Sequence, residues 1–244
     1  MKQALLLARR NAREILRDPL NLCFGLGFPL VILGLLTAIQ ANVPKELFPL
    51  EQLTPGIAVF GLAFMSLFSA TLISRDRSSA LLLRLYTTPL RPVHYILGYL
   101  LPMVPIALAQ SAVTLLFGLI LGLAWTPRIL LVLLVTLPVG WIFIGIGLLC
   151  GSLMTDKQVG GICGALLTNL TGWFAGIWFD VELVGGFFKT VSNILPFYHG
   201  TELARAAYAG TLGSALPHLW VVLAWAAAML GLAVWAFLHQ MKKN

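Results

Sequence analysis

Charge is what this sequence has least of. Only 10% of its 244 residues are Asp, Glu, Lys or Arg, and 59% are hydrophobic, whereas a soluble domain carries about 25% charged residues. A soluble fold of this composition would leave large apolar areas in water. A membrane-embedded protein avoids that problem because lipid takes the place of water as the solvent. The mean hydropathy of +0.91 points the same way.

Ionisable groups are missing from the interior of the apolar segments. No Asp, Glu, Lys or Arg lies in their central portions, and all four histidines lie at or outside their edges. Ion-coupled transporters usually hold such groups inside the membrane, and many carry a related pair of broken helices. An ion-coupled carrier or channel is therefore disfavoured and is kept as the alternative from a different functional class.

Sequence motifs for catalysis and nucleotide binding are also missing. Metalloprotease chemistry needs a pattern such as His-Glu-x-x-His, whereas His199 stands alone near Glu202. The nearest approach to a phosphate-binding loop is GGFFKT at 185–190, which lacks the glycine before Lys189. We therefore expect no catalytic residue, no metal and no cofactor in this chain, and an intramembrane enzyme is the least favoured function.

Cysteine is scarce as well. Cys23, Cys150 and Cys163 all fall inside apolar segments, which favours small buried hydrophobes over a disulfide framework. The net charge of +7 comes from bases that lie between the apolar segments. Membrane topology and anionic lipid explain this pattern, and we expect no nucleic-acid partner.

What the sequence does contain is six apolar segments, each long enough to cross a bilayer as a helix of roughly 20 residues. The third is the longest, and Pro102 and Pro105 are expected to kink it. The fold class predicted is an all-α polytopic membrane protein with one domain over 1–244. The expected spans are 22–41, 54–73, 94–123, 129–153, 159–179 and 218–238.

Lys and Arg are distributed unevenly between the connections. With the N-terminus inside, the inner segments hold twelve of the sixteen bases and the outer segments hold four. Cytoplasmic loops carry an excess of Lys and Arg, so both termini are expected in the cytoplasm. Segment 75–92 is then the first cytoplasmic loop, and segment 180–217 lies outside.

Residues 1–20 have the pattern of an amphipathic interfacial helix. Apolar Leu5, Ala8, Ala12 and Ile15 recur at spacings of three and four, and Arg17-Asp18-Pro19 should end the helix. A four-spaced basic row is expected to face lipid phosphates; the alternative is an ordinary charged flank of the first span. The basic row is Arg9, Arg13 and Arg17.

The loop at 75–92 contains a Leu-rich stretch between a capping Ser74 or Asp76 and the terminating Pro89. A short helix here would be apolar on one side and basic on another. It could rest on anionic lipid or enter a groove on a soluble protein. Because the sequence shows neither a nucleotide-binding motif nor an ionisable group inside an apolar segment, docking to a partner that supplies the energy is favoured.

Segment 180–217 is too apolar for an aqueous loop. Aromatic and aliphatic residues such as Phe187, Ile194 and Phe197 predict short helices packed at or dipping into the outer face, with a break at Pro196. We read the segment as an external helical hairpin between the fifth and sixth spans.

Small residues recur every four positions in the fifth span. Such spacing lets another helix backbone approach closely, either within this chain or across a subunit interface. The row winds slowly around the helix, since a turn takes 3.6 residues. The glycines assigned to helix packing or dimer formation are Gly160, Gly164, Gly172 and Gly176.

Together these features resemble the membrane subunit of an ABC transporter of the type-two exporter-permease class. The resemblance covers essentially the whole chain. It rests on the N-terminal helix ending in Arg-Asp-Pro, on the first inner loop with an acidic-basic pair, a Leu-rich turn and Thr-Pro, and on LPFYHGTELAR at 195–205. It implies a permease of a class that pairs as dimers or is fused in pairs, here a half-transporter for which a homodimer is favoured over a heterodimer, and that binds two separate ATPase subunits, which hold the ATP and magnesium.

The resemblance also implies residue roles. The N-terminal helix would be the connecting helix, and the first inner loop would carry the coupling helix that faces the ATPase. The second and fifth spans would line the substrate path, although ordinary packing or lipid contact is the alternative for the phenylalanines. The coupling residues would be Arg75, Asp76, Arg77, Leu81, Leu82, Arg84 and Leu85. The path residues would be Phe60, Phe64, Phe68, Thr168, Asn169, Thr171 and Trp173.

The uncharged, aromatic spans favour an amphipathic or hydrophobic cargo. A drug or lipid-like compound fits, as in multidrug efflux, and a polysaccharide or glycolipid is the alternative because sugars stack on aromatic rings. The compact size favours the inner membrane of a bacterium or archaeon.

Overall fold

The computed structural model describes residues 2–79 and 92–243, and within that part of the chain it consists of helices and their connections, with no strand. Among the described residues, the first half contains seven α-helices and one π-helical segment, Cys23–Gly27. The α-helices are α1 (Lys2–Leu16), α2 (Pro19–Leu22), α3 (Phe28–Ala41), α4 (Leu50–Gly61), α5 (Ala63–Ser78), α6 (Pro92–Leu100) and α7 (Met103–Ile120).

The second half contains seven more α-helices and a second π-helical segment, Gly160–Leu166. The α-helices are α8 (Ile129–Leu153), α9 (Asp156–Val159), α10 (Leu167–Phe174), α11 (Val181–Val184), α12 (Gly186–Ile194), α13 (Pro196–Ala209) and α14 (Leu212–Lys243). Helices α6 and α7 meet at Leu101 and Pro102, where the sequence predicts a kink in the third span.

Five helical runs within the described residues are long and apolar enough to cross a membrane. They are Cys23–Ala41, Leu50–Ser78, Pro92–Ile120, Ile129–Leu153 and Gly213–Met241. The predicted span 159–179 is not among them. There the helix runs through α9, the second π-helical segment and α10 and ends at Phe174, and its polar residues lower its hydropathy. A total of six membrane spans therefore stays a prediction. Five of the six predicted spans correspond to helices that are long and apolar enough to cross a membrane.

The run Leu50–Ser78 forms the centre of the bundle. In its most apolar stretch of 18 residues, 94% of the residues are buried. Glycines on α8 let this helix come unusually close. A Cβ built at Gly151 would lie 2.6 Å from the carbonyl oxygen of Ala70 and 2.9 Å from its Cα. Since backbone atoms cannot move aside as a flexible side chain can, the contact between α5 and α8 requires glycine at this position.

Helix α1 is amphipathic, but its buried face is shifted from the predicted one. Ala8 and Ile15 are buried as expected, whereas Leu5 is 66% exposed. The shift follows from Asn11, which is buried and donates from Nδ2 to the carbonyl oxygen of Gly98 on α6 at 2.9 Å. A buried polar group needs such a partner, so the helix turns Asn11 inward and leaves Leu5 outside.

Segment 180–217 forms short helices α11 to α13, and α13 begins at Pro196. Helix α13 is not peripheral. Its Phe197 stacks on Phe143 of α8, with ring centroids 5.6 Å apart and planes 10° apart. The last helix starts at Leu212 and includes Pro217, so the predicted hairpin boundary at 217 lies inside α14.

The two ends of the bundle differ. Helix α1 contacts the C-terminal end of α5, and α13 contacts the N-terminal part of α4, where Arg205 donates to the carbonyl oxygen of Gln52. The run Leu50–Ser78 has 29 residues and is therefore about 43 Å long. We call the two ends the α1 end and the α13 end.

Candidate functional site

An aromatic groove lies beside the central helix. Phe28, Phe60 and Phe64 form a cluster whose ring centroids are 5.9 to 6.3 Å apart, and Trp178 lies edge-on to Phe60 at 5.7 Å. The groove holds a cavity of about 350 Å³, a size typical of small-molecule sites. Edge-to-face packing, found here in every pair except Phe28–Phe60, is one of the arrangements that aromatic rings prefer.

The groove collects five of the seven residues predicted to line the substrate path. These five are Phe60, Phe64, Thr168, Asn169 and Trp173. The other two lie elsewhere. Phe68 points toward Gly25, where a Cβ would come within 2.9 Å of its Cε2. Thr171 is buried, and its hydroxyl donates to the carbonyl oxygen of Leu167 at 2.8 Å.

The sequence reasoning missed the contribution of the first span. Phe24, Phe28 and Ile32 complete the groove, together with Trp178. Both π-helical segments reach it, through Phe24 and through Gly164 and Ala165. Short π-helical stretches occur frequently at functional sites. A search for side chains that repeat every 3.6 residues misses those in a π-helical segment, because such a segment departs from the α-helical period.

The groove is uncharged and open. Two of its polar groups already have backbone partners: the Thr168 hydroxyl donates to the carbonyl oxygen of Cys163 at 3.4 Å, and the Asn169 amide donates to that of Ala165 at 2.8 Å. Trp173 is 56% exposed. The groove thus offers an apolar, aromatic surface to whatever lies beside the second π-helical segment and α10.

The glycine row meets different surroundings along its length. No described residue comes within 4 Å of a Cβ built at Gly160, whereas Gly164 faces Leu67 at 3.4 Å and Gly172 faces the indole nitrogen of Trp178 at 2.9 Å. Gly176 lies in the turn after α10 with φ of +66°. Gly160 is therefore on an open face, and Gly176 serves a turn.

At the α1 end, an ion pair joins α1 to α5. The Asp76 carboxylate is buried, and both of its oxygens accept from the guanidinium of Arg10, at 2.5 and 2.7 Å. The hydroxyl of Tyr99 on α6 also donates to Asp76, at 2.7 Å. Burial favours the neutral form of Arg10, but the hydrogen bond and charge of Asp76 outweigh it and raise the pKa of Arg10. We call this contact the Arg10–Asp76 pair.

The neighbours of Asp76 tie the same helix end to other elements. Arg75 donates to Asp18 at 3.0 Å and lies 3.9 Å from Asp156 at the start of α9. Arg77 donates to the carbonyl oxygens of Ser152 and Met154, the latter at 2.5 Å. The end of α5 is thus fixed to α1, α6, α8 and α9 together.

These contacts describe three of the predicted coupling residues. Asp76 faces the protein interior and Arg77 is half-buried, while Arg75 is exposed. The remaining four lie outside the described residues: Leu81, Leu82, Arg84 and Leu85. The assignment of all seven to a partner-facing surface stays a prediction.

At the α13 end, the spaced Glu and Arg of the 195–205 stretch form an ion pair. Arg205 donates from Nη1 to Glu202 at 2.8 Å and from Nη2 to the carbonyl oxygen of Gly176 at 2.9 Å. With its bond to Gln52, one side chain connects α13, α4 and the turn after α10. The motif therefore holds three elements together at this end.

The family follows from the comparison with known proteins. The sequence model of the ABC-2 type transporter family matches residues 2–209. The chain belongs to this family. The match runs from α1 to the end of α13 and so includes the Arg10–Asp76 pair, the aromatic groove and the Glu202–Arg205 pair. No curated protein matches the chain. As an ABC-2 member, it is a membrane permease component, and its family implies a partner ATPase.

Proposed function

We propose that this chain is the permease subunit of an ABC exporter that moves an amphipathic or hydrophobic molecule, a drug or lipid-like compound. The observation that supports this most is the aromatic groove, which has the volume of a small-molecule site, carries no charged side chain among its lining residues and lies open on one side. An apolar molecule gains free energy by leaving water for such a surface, at roughly 25 cal/mol per Å².

A second copy of the chain closes the groove in this proposal. The open side is formed by the second π-helical segment and α10, where Gly160 faces open space and Trp173 is exposed. Small residues permit close backbone approach between helices in lipid. Two copies facing each other there would enclose two grooves around one path, and two ATPase subunits would hold the ATP and Mg²⁺.

The central helix offers a route from the ATPase to the groove. Asp76 and Phe64 lie on the same helix, 12 residues or about 18 Å apart. Because the Arg10–Asp76 pair fixes that helix to α1, a push on the loop that follows α5 would tilt the helix and α1 together. Such a movement changes the spacing of the aromatic rings. We place this loop and both termini on the cytoplasmic side of a bacterial or archaeal inner membrane.

The test is transport in proteoliposomes that contain the chain and its ATPase subunit. We expect ATP-dependent movement of a fluorescent amphipathic dye or phospholipid analogue, and an at least fivefold loss of rate with Trp173→Ala. Trp220→Ala is the matched control, since Trp220 is 68% exposed on α14 and lies outside the groove. Flux by the chain alone, without ATPase or nucleotide, would support the ion-coupled carrier or channel instead.

Polysaccharide or glycolipid export is the second candidate. The exposed ring of Trp173 presents a flat face on which a sugar could stack. A competition experiment distinguishes the two candidates. Polysaccharide or glycolipid export is favoured if a glycan inhibits dye transport, if this inhibition requires Trp173, and if the glycan is itself transported.

A further inference from the structure

A second cavity, separate from the aromatic groove, lies at the α13 end. It has a volume of about 560 Å³ and is bounded by the segment before α4, the turn after α10 and helix α13. Aromatic side chains form much of its wall. They are Phe48, Trp178, Phe179, Tyr198 and Tyr208. A space of this size fits a drug-sized organic molecule and is far larger than an inorganic ion needs.

The charged lining of this cavity is mostly acidic. Four carboxylates face it against one base, Arg205. The guanidinium of Arg205 is already held by Glu202 and by two backbone carbonyls, and Lys189 pairs with Glu182 from outside the lining. The four carboxylates are Glu51, Asp180, Glu182 and Glu202. The lining therefore holds three more acids than bases, or two more when Lys189 is counted, and we call this space the acidic cavity.

The pKa values of two phenols in the wall reflect both burial and the nearby carboxylates. Burial raises the pKa of Tyr198, and the carboxylates of Glu202, Glu182 and Asp180 raise it further. Burial and Glu51 likewise raise the pKa of Tyr208. Burial disfavours a charge of either sign at these positions, whereas the nearby carboxylates disfavour a negative charge and would favour a positive one.

The acidic cavity and the aromatic groove share one wall. Trp178 lines both, with its ring edge-on to Phe60 in the groove. A molecule that leaves the groove at this side passes Trp178 and meets a second set of rings, now accompanied by carboxylates. Aromatic faces attract cations, and cages of rings recognise quaternary ammonium groups in this way.

We propose that the acidic cavity is a binding site for an amphipathic organic cation, and that the molecule this permease exports is of that class. That the bound molecule is exported rests on the proposed function, whereas its binding in the acidic cavity does not. The groove accepts the apolar body of the molecule. The acidic cavity then attracts its positive charge at the end of the bundle that the Lys and Arg distribution predicts to lie outside.

The test compares two ions of the same shape and opposite charge. Tetraphenylphosphonium and tetraphenylborate are presented to the purified full-length chain in detergent micelles, with binding measured by equilibrium dialysis and corrected for empty micelles. We expect the phosphonium to bind at least tenfold more tightly than the borate. Glu51→Gln should weaken phosphonium binding about threefold, the range expected for one partly exposed charge. Adding Glu182→Gln should weaken it further.

The matched control is Glu46→Gln. Glu46 is an exposed carboxylate in the connection just before α4, the helix that contains Glu51, but it does not line the acidic cavity, so this variant should bind as the wild type does. Equal binding of both ions, binding of neither, or an equal loss with Glu46→Gln overturns the proposal. None of these outcomes affects ATP-dependent transport in proteoliposomes, which tests the proposed function separately. Thermal unfolding of each variant confirms that the fold is retained.

Discussion

Removal of Arg10 tests whether the Arg10–Asp76 pair stabilises the α1 end. In Arg10→Ala, Asp76 would keep its hydrogen bond from Tyr99 but lose both bonds to the guanidinium. Breaking a buried pair by removing one partner costs about 3–5 kcal/mol. The side chain of Asp76 is 2% exposed, but that of Arg10 is 38% exposed, so water can partly replace the lost contact. We expect a loss of about 2–3 kcal/mol of unfolding free energy.

The assay is unfolding in mixed micelles by titration with sodium dodecyl sulfate, followed by tryptophan fluorescence. Arg9→Ala is the matched control, since Arg9 is the neighbouring base on the exposed face of α1, and its removal should change stability by less than about 0.5 kcal/mol. Arg10→Lys should recover part of the loss, since an ammonium cannot bind both carboxylate oxygens in the fork geometry of a guanidinium.

A double-mutant cycle gives the result that would refute the reasoning. If the pair acts as a unit, Arg10→Ala and Asp76→Ala together should destabilise less than the sum of the two, with a coupling energy of about 2 kcal/mol. Additivity within about 0.5 kcal/mol would show that the two side chains do not depend on each other. The pair would then have no part in joining α1 to the central helix.

Two further predictions concern packing and the α13 end. Gly151→Ala should destabilise by about 1–3 kcal/mol in the same unfolding assay, because its Cβ would meet the backbone of Ala70. Gly161→Ala is its control and should leave stability unchanged or slightly raised, since no described residue lies within 4 Å of the new Cβ. Tyr208→Phe should cost about 1 kcal/mol through loss of the bond to the carbonyl oxygen of Ala124, which is 2.8 Å long.

Much of the fold could be predicted from hydropathy because the bilayer imposes a long, simple signal. The helices around 22–41, 94–123 and 129–153 agree with their predicted bounds to within three residues at each end. The central helix is longer than predicted at both ends. At these ends Gln52 accepts from Arg205 and Asp76 accepts from Arg10 and Tyr99. Hydropathy does not record that the protein itself can satisfy such polar groups.

The candidate site could be predicted only in part. Phe60 and Phe64 lie four residues apart and both line the groove, whereas Thr168 and Asn169 were predicted only through the family resemblance. Phe68 continues the same period but lies away from the groove, because the helix turns about 40° past a full turn in each four-residue step. Phe24 lies in a π-helical segment, and Trp178 lies in a turn, where no periodic pattern applies.

The position of Asp76 shows how a surface motif can be an interior contact. An acidic residue between two arginines near a cytoplasmic loop has the pattern of a docking surface. In the structure its carboxylate is buried against Arg10 and Tyr99, and each flanking arginine contacts a different element. An isolated buried carboxylate would be strongly disfavoured, so α1 and α6 must stay in place for α5 to end as it does. We infer that Asp76 holds these helices together, so that a force on the following loop would reach the aromatic groove through α5 itself, which carries Phe64.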